Sequence, residues 1–353
     1  MRIPLLSVGA LTAVVVAVSL IAVRNVDGYT PHHLLNVSYD PTRELYQKIN
    51  PAFAVQYLKD TGEAVLVRQS HGGSSAQARQ VATGASPADV VTLGLPSDID
   101  GLAKRGTIAR DWRARLPNEA RPYTSTVVFL VRKGNPRRIL DWPDLVRDTI
   151  EVITPDPKTS GNGKLTLLAA WASVVARGGT ETEARAFVKA VLDHAPFLVA
   201  AARAAGVAFA VEKKGDVQVA WENEALREVA DSKGAVEIVY PPASLLAEPS
   251  VAWVDANVDR NHSEALARRY LDYLYTDEAQ TLIAREGYRP ANAAIAERFR
   301  DRLPRITLWP ITLIAKDWAD AQQKFFAENG VIDALYVAKP RVDRPWTPPT
   351  SMR

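Results

Sequence analysis

Short apolar runs separated by amphipathic stretches organise this chain. Residues 34–38, 64–67 and 89–95 each read as a buried strand, because a run rich in Val, Leu and Ala is bounded by turn-forming residues. After the first run, Asp40 and Pro41 open a helix whose apolar face is Leu45, Tyr46 and Ile49, with Asp40 as its expected N-cap. After the second, Gly72-Gly73-Ser74-Ser75 leads into a helix through Gln80. Residues 127–131, 152–154, 237–239 and 251–254 form further strands, and a long helix is expected from about Leu165 to Ala176. Beyond them the pattern turns helical, over 263–285 and again around 317–329. Strands alternating with helices predict an α/β fold with a parallel sheet built from βαβ units.

Two segments break the pattern. Residues 3–23 form an uncharged run of 21 residues between Arg2 and Arg24. That length spans a bilayer as one helix. A basic start and the small residues Ala17 and Ser19 also fit a secretory signal with its cleavage site. Residues 1–28 are therefore expected to be a signal peptide or an N-terminal membrane anchor, with cleavage favoured, and either fate exports the rest of the chain in a bacterial cell. At the other end, residues 340–353 form a Pro-rich tail.

Composition narrows the chemistry. At 353 residues the chain is long enough for two domains. Its 43 basic and 40 acidic residues give a net charge of only +3, and the basic residues are scattered, so no nucleic-acid surface is expected. The absence of cysteine excludes disulfides, thiolate metal sites and thiol nucleophiles. Enzyme templates fail letter by letter. Before Gly163-Lys164 a phosphate loop needs a glycine where Lys158 stands, and Ser or Thr where Leu165 stands. Gly72-Gly73-Ser74-Ser75-Ala76 lacks the closing glycine of a nucleophile elbow. The five histidines (His32, His33, His71, His194 and His262) have no metal-ligand spacing, and neither a metal nor a cofactor is expected.

What recurs instead is a strand, a small or Gly-rich turn, and a helix start. It occurs at Asp40-Pro41, at Gly72-Gly73-Ser74, and at Thr159-Ser160-Gly161-Asn162-Gly163. Each exposes unpaired backbone N–H groups and the positive end of a helix dipole, an arrangement that suits an anion. Any one of them is more often an ordinary cap; three in one exported α/β chain favour an anion-binding protein.

The segment Asn36-Val37-Ser38-Tyr39-Asp40-Pro41-Thr42-Arg43-Glu44-Leu45-Tyr46 resembles the opening of the prokaryotic sulfate-binding protein family. The resemblance continues through Gln69-Ser70-His71-Gly72-Gly73-Ser74, Arg132-Lys133-Gly134-Asn135-Pro136, Asp141-Trp142, and Pro157-Lys158-Thr159-Ser160-Gly161. Ala220-Trp221-Glu222-Asn223-Glu224-Ala225-Leu226 and Tyr288-Arg289-Pro290 extend it, so that it spans about residues 34–339.

The resemblance implies a periplasmic, non-enzymatic binding protein that delivers sulfate or thiosulfate to the permease subunits of an ABC importer. It implies a monomer that meets the membrane only through its N-terminal segment. Its fold would be that of a type II periplasmic binding protein, with a hinge and a ligand cleft between two lobes. Lobe 1 would comprise 32–122 plus 246–339 and lobe 2 would comprise 123–245, with crossovers near 123–129 and 241–249. Sulfate would take backbone N–H bonds from Asp40, Ser74, Gly161, Asn162 and Ala202, and side-chain bonds from Ser160 and Trp221. Arg43 and Arg203 would support these loops. At 200–206 the chain departs from the family by being richer in alanine. Two other readings stand beside this one. An esterase or hydrolase acting on a sulfate or phosphate ester would need His71, Ser74 and a carboxylate to meet, and a membrane-tethered sensor would replace the cleft with partner surfaces.

Overall fold

The computed structural model describes residues 32–335. The segment 1–28, the tail 340–353 and the last residues of the expected first lobe lie outside the described residues. In chain order the principal elements begin with β1 (His32–Tyr39), α1 (Arg43–Thr61), β2 (Val65–Gly72), α2 (Ser74–Ala82), β3 (Val90–Leu93) and α3 (Pro96–Lys104). There follow β4 (Val127–Arg132), β5 (Val152–Pro155), α4 (Gly161–Val175), α5 (Glu181–Asp193), β6 (Leu198–Val199) and α6 (Ala202–Gly206). Next come β7 (Val217–Trp221), α7 (Glu222–Asp231), β8 (Val236–Val239), β9 (Ala243–Leu245), β10 (Ser250–Trp253) and β11 (Thr307–Trp309).

Two separate sheets make this a two-lobed α/β protein. The first runs β10-β3-β1-β2, with β1 parallel to β2 and β3, and β10 antiparallel to β3. The second runs β6-β5-β7-β4-β8, with β5 parallel to β6 and β7, and β4 antiparallel to both β7 and β8. The sheets are thus mixed, where strand–helix alternation predicted purely parallel ones. The antiparallel members, β4 and β10, are the strands that enter a sheet from the other lobe, so no βαβ crossover sets their direction.

Those two passages run side by side. Ser125 and Ala247 exchange backbone hydrogen bonds of 3.0 and 2.9 Å, Thr126 Oγ1 donates to the Leu245 carbonyl at 2.8 Å, and Ser244 Oγ donates to that of Val127 at 2.8 Å. Ser125, Thr126 and Ser244 are fully buried, and the hydroxyls of Thr126 and Ser244 are satisfied by carbonyls of the opposite passage, whereas the Ser125 hydroxyl is buried without a partner among the described residues.

The chain after β11 touches both lobes. β11 lies parallel to β9, the Trp318 indole N–H donates to Glu248 Oε2 at 2.5 Å, and Phe325 is completely buried edge-on against Trp171 of α4, 5.0 Å between ring centroids. Lys164 Nζ donates to Gln322 Oε1 at 2.8 Å, and Lys158 pairs with Asp333 at 2.7 Å. No helix among the described residues is long and apolar enough to cross a membrane.

Phe325→Ala removes a fully buried ring and leaves a cavity against Trp171. The expected loss of stability is about 3–5 kcal/mol in a denaturant titration, with the second lobe the first to open.

Candidate anion-binding site between the lobes

All seven residues named as ligand donors line one cavity. It is small, and is bounded by Tyr39, Asp40, Pro41, Gly72, Gly73, Ser74, Ser160, Gly161, Asn162, Ala202 and Trp221. It lies beyond the carboxyl ends of β1 and β2 on one side and of β5, β6 and β7 on the other, the position where open α/β sheets leave a crevice. None of the residues lining it carries a basic side chain.

Local chemistry explains why each loop presents N–H groups. Ser160 is the N-cap of α4, and its Oγ accepts from the Asn162 N–H at 3.2 Å. With that lone pair engaged, the hydroxyl hydrogen is free to point outward. The Asn162 carboxamide donates to the Val219 carbonyl at 3.2 Å and ties α4 to β7. Gly163 is required by sterics, since a Cβ there would stand 2.3 Å from the Pro155 carbonyl oxygen. The helix begins four residues earlier than the apolar pattern suggested, at Gly161, because Ser160 supplies the cap. Trp221 ends β7, is 1% exposed, and packs against Tyr39 with ring centroids 5.4 Å apart, while its indole N–H meets no acceptor among the described residues.

Asp40 does not behave as the expected N-cap. It is the first residue of a short 3-10 turn, and its carboxylate makes no capping bond. Instead Oδ2 accepts from the Arg203 N–H at 3.2 Å and Oδ1 from Arg43 Nη2 at 3.3 Å. The carboxylate therefore reaches across to the loop that carries Ala202. Arg203 also closes on the first lobe through its side chain, with Nη2 2.5 Å from Glu44 Oε1. Burial disfavours ionisation of Glu44, but the Arg203 guanidinium outweighs it and holds its pKa below the ordinary value. Behind this loop, burial pushes Glu228 up to about 8, reinforced by the charge of Glu224 one turn away.

Ser74 has a second role that its sequence did not reveal. Its Oγ donates to Asp98 Oδ2 at 2.6 Å and accepts from the Gly94 N–H at 3.0 Å, so its hydroxyl is committed within the first lobe. Asp98 also accepts from Ser75 Oγ at 2.9 Å and lies 3.6 Å from the buried ammonium of Lys164. Neither Asp98 nor Lys164 was singled out for this role. Asp98 reads as an ordinary acid in the first turn of α3, and Lys164 drew notice only against the phosphate-loop template.

The carboxylate partner of Ser74 is thus Asp98, with no bond to His71. His71 Nδ1 is buried without a partner, and burial together with the neighbouring charge of Arg43 lowers the His71 pKa to about 4. Among the described residues no group of three or more His, Cys, Asp or Glu is placed to hold a metal ion.

This fold and cavity are those of a solute-binding protein. The chain belongs to the family of bacterial extracellular solute-binding proteins, whose model matches residues 34–289. It is 45% identical over 305 residues to a thiosulfate-binding protein of Pseudomonas aeruginosa, covering 86% of this chain and 92% of the relative. It is also 45% identical over 304 residues to a sulfate-binding protein of Salmonella typhimurium, with the same coverage of 86% and 92%. Among solved structures, the sulfate-binding protein SubI of Mycobacterium tuberculosis superposes with a TM-score of 0.76 at 33% identity, covering 84% of this chain and 99% of that one. A ferric binding protein of Campylobacter jejuni shares the fold at 15% identity, with a TM-score of 0.61 over 85% of this chain and 99% of that one.

The contact between lobes rests on Gly73. A Cβ there would stand 2.2 Å from the Thr159 carbonyl oxygen of the other lobe. Gly73→Ala is expected to disfavour the closed arrangement by about 1–3 kcal/mol while leaving each lobe folded. Solution scattering, under conditions that close the parent protein, should then give a larger radius of gyration with an unchanged far-ultraviolet spectrum.

Proposed function

We propose that this protein binds sulfate or thiosulfate outside the cytoplasm and delivers it to the membrane-spanning subunits of an ABC importer. The observation that carries this reading is the convergence of Asp40, Ser74, Ser160, Gly161, Asn162, Ala202 and Trp221 on one cavity lined by donors and by no basic side chain. The relatives' names supply the ligand class. The protein is a carrier rather than an enzyme, acting as a monomer in the periplasm after its N-terminal segment is cleaved. Its lobes divide as 32–122 plus 246–339 and 123–245, and the strand-like pairing of Ser125 with Ala247 supports a hinge at that seam.

The energetics are consistent with such a site. Hydrogen bonds to a charged group contribute about 1.5–3 kcal/mol each; the Asn162 N–H is already given to Ser160 Oγ, so the other six donors at the low end give roughly 9 kcal/mol. Desolvation and closure reduce that toward the ~8 kcal/mol of micromolar binding. Selectivity follows from the same donors. Sulfate carries no proton at neutral pH, whereas hydrogen phosphate would turn an O–H toward a donor, at a cost of about 1–3 kcal/mol.

Two measurements test this reading. In titration calorimetry, sulfate affinity should exceed phosphate affinity by tenfold or more and stay flat between about pH 5 and 7, because His71 is already neutral throughout that range. Equal affinity for the two anions would reject the donor-only site. Trp221→Phe keeps most of the packing and deletes one charged-acceptor hydrogen bond, so sulfate should bind about ten- to hundredfold more weakly. Unfolding of this variant with unchanged affinity in the folded fraction would make Trp221 a core residue only.

A further inference from the structure

Behind the Ala202 loop, two buried side chains need a proton between them. Glu228 on α7 is 4% exposed, and Gln218 on β7 is completely buried. Gln218 Nε2 donates to Glu228 Oε1 at 3.1 Å, while Gln218 Oε1 and Glu228 Oε2 are both buried without a partner among the described residues. Two acceptor oxygens cannot satisfy each other. A proton on Glu228 Oε2 supplies the missing donor, and the carboxyl and carboxamide then pair reciprocally, each giving one hydrogen bond and accepting one.

The same carboxyl packs directly on α6, the helix that begins at Ala202 of the cavity lining. A Cβ at Gly206 would stand 2.8 Å from Glu228 Cδ, so glycine is what admits the acid there. The charged groups that act on Glu228 from α6 and α7 are engaged with other partners. Glu224, one turn earlier on α7, is buried and accepts from Arg227 Nη2 at 3.0 Å, and Arg227 also meets Asp231 at 3.2 Å. Arg203 of α6 is paired with Glu44. Of the two buried acids, Glu224 holds the cation, which leaves the proton to Glu228. Arg227 and Arg203 favour the ionised form, but burial and the Glu224 charge outweigh them and raise Glu228 to about 8.

We propose that Glu228 is a positioning residue for the anion site: it carries a proton at neutral pH, pairs through it with Gln218, and so seats α6 with no negative charge behind the Ala202 loop. The effect on the ligand rests on the sulfate reading. Loss of the proton breaks the reciprocal pair, leaves acceptors facing each other, and adds a charge that repels a bound dianion. By the same linkage a bound dianion makes Glu228 hold its proton more tightly. Affinity is therefore level while Glu228 is protonated and falls as pH rises through its ionisation.

The test compares the chain with Glu228→Gln, whose amide can pair with Gln218 in the same reciprocal way but does not titrate. The parent-minus-variant infrared spectrum should show a protonated-carboxyl C=O band at neutral pH that fades as pH passes about 8. Sulfate affinity of the parent should fall about three- to tenfold between about pH 7 and about pH 9.5, and that of Glu228→Gln by less than about twofold. In denaturant titrations, the parent's stability relative to Glu228→Gln should decline from about pH 5 to about pH 8 and then level off. Over that range the folded chain keeps a proton that the unfolded chain has released. Identical carboxyl bands in the two proteins at neutral pH overturn the proposal. So do parallel affinity profiles, or a tenfold loss of sulfate affinity in Glu228→Gln at neutral pH, since an ionised carboxylate would then be required. A parent that binds no sulfate at any pH rejects the sulfate reading instead, and the infrared and stability profiles still decide where the proton lies.

Discussion

Backbone N–H groups at the starts of helical segments have no partner within their helix, and burying such a donor without an acceptor costs about 1–3 kcal/mol. That constraint organises this molecule. Ser74, Gly161 and Ala202 each begin a helix, and all three residues line one cavity between the lobes. Brought together without an anion, they leave donors facing each other. On the proposed reading, an anion there would satisfy them together and couple ligand binding to lobe closure.

Precision in that presentation comes from side chains that never face the ligand. Ser74 Oγ is fixed between Asp98 and the Gly94 N–H, which orients the first turn of α2. Asn162 is fixed to the Val219 carbonyl, which sets α4 against the strand that ends at Trp221. Asp98 and Lys164 then face each other across the seam at 3.6 Å, so the scaffolds of the two lobes sense each other directly. Polar groups buried this way stabilise one geometry because each alternative leaves something unpaired.

Much of this was legible in the sequence, and the gaps have physical causes. Strand–turn–helix punctuation located the loops at Asp40, Ser74 and Ser160 that line the cavity, since glycine, serine and proline there act through local backbone conformation, whereas the Ala202 loop was reached only through the family resemblance. The sheet order was not legible, because the antiparallel entries of β4 and β10 depend on where the chain changes lobes. The strand Val217–Trp221 escaped notice: its polar Gln218 and flanking lysines obscure an apolar run that is buried on both faces. Asp40 was misread as an N-cap for a related reason. An aspartate before proline is locally a good cap, but its carboxylate found a stronger arrangement with Arg43 and with Arg203, 163 residues away in sequence. Tertiary partners outcompete local ones, and sequence spacing does not show them.

The seam between the lobes, the proposed hinge, is well packed. Its two passages are joined by reciprocal backbone bonds between Ser125 and Ala247, and the adjoining hydroxyls of Thr126 and Ser244 are satisfied by carbonyls of the opposite passage. The chain after β11 adds a restraint from outside the hinge. It meets the first lobe through Trp318 on Glu248, and the second through Phe325 on Trp171 and Asp333 on Lys158. Lys158 stands two residues before Ser160, so this last segment is anchored beside a ligand loop as well as beside the hinge. A lobe rotation that moved Lys158 away from Glu248 would have to stretch or release one end of that segment.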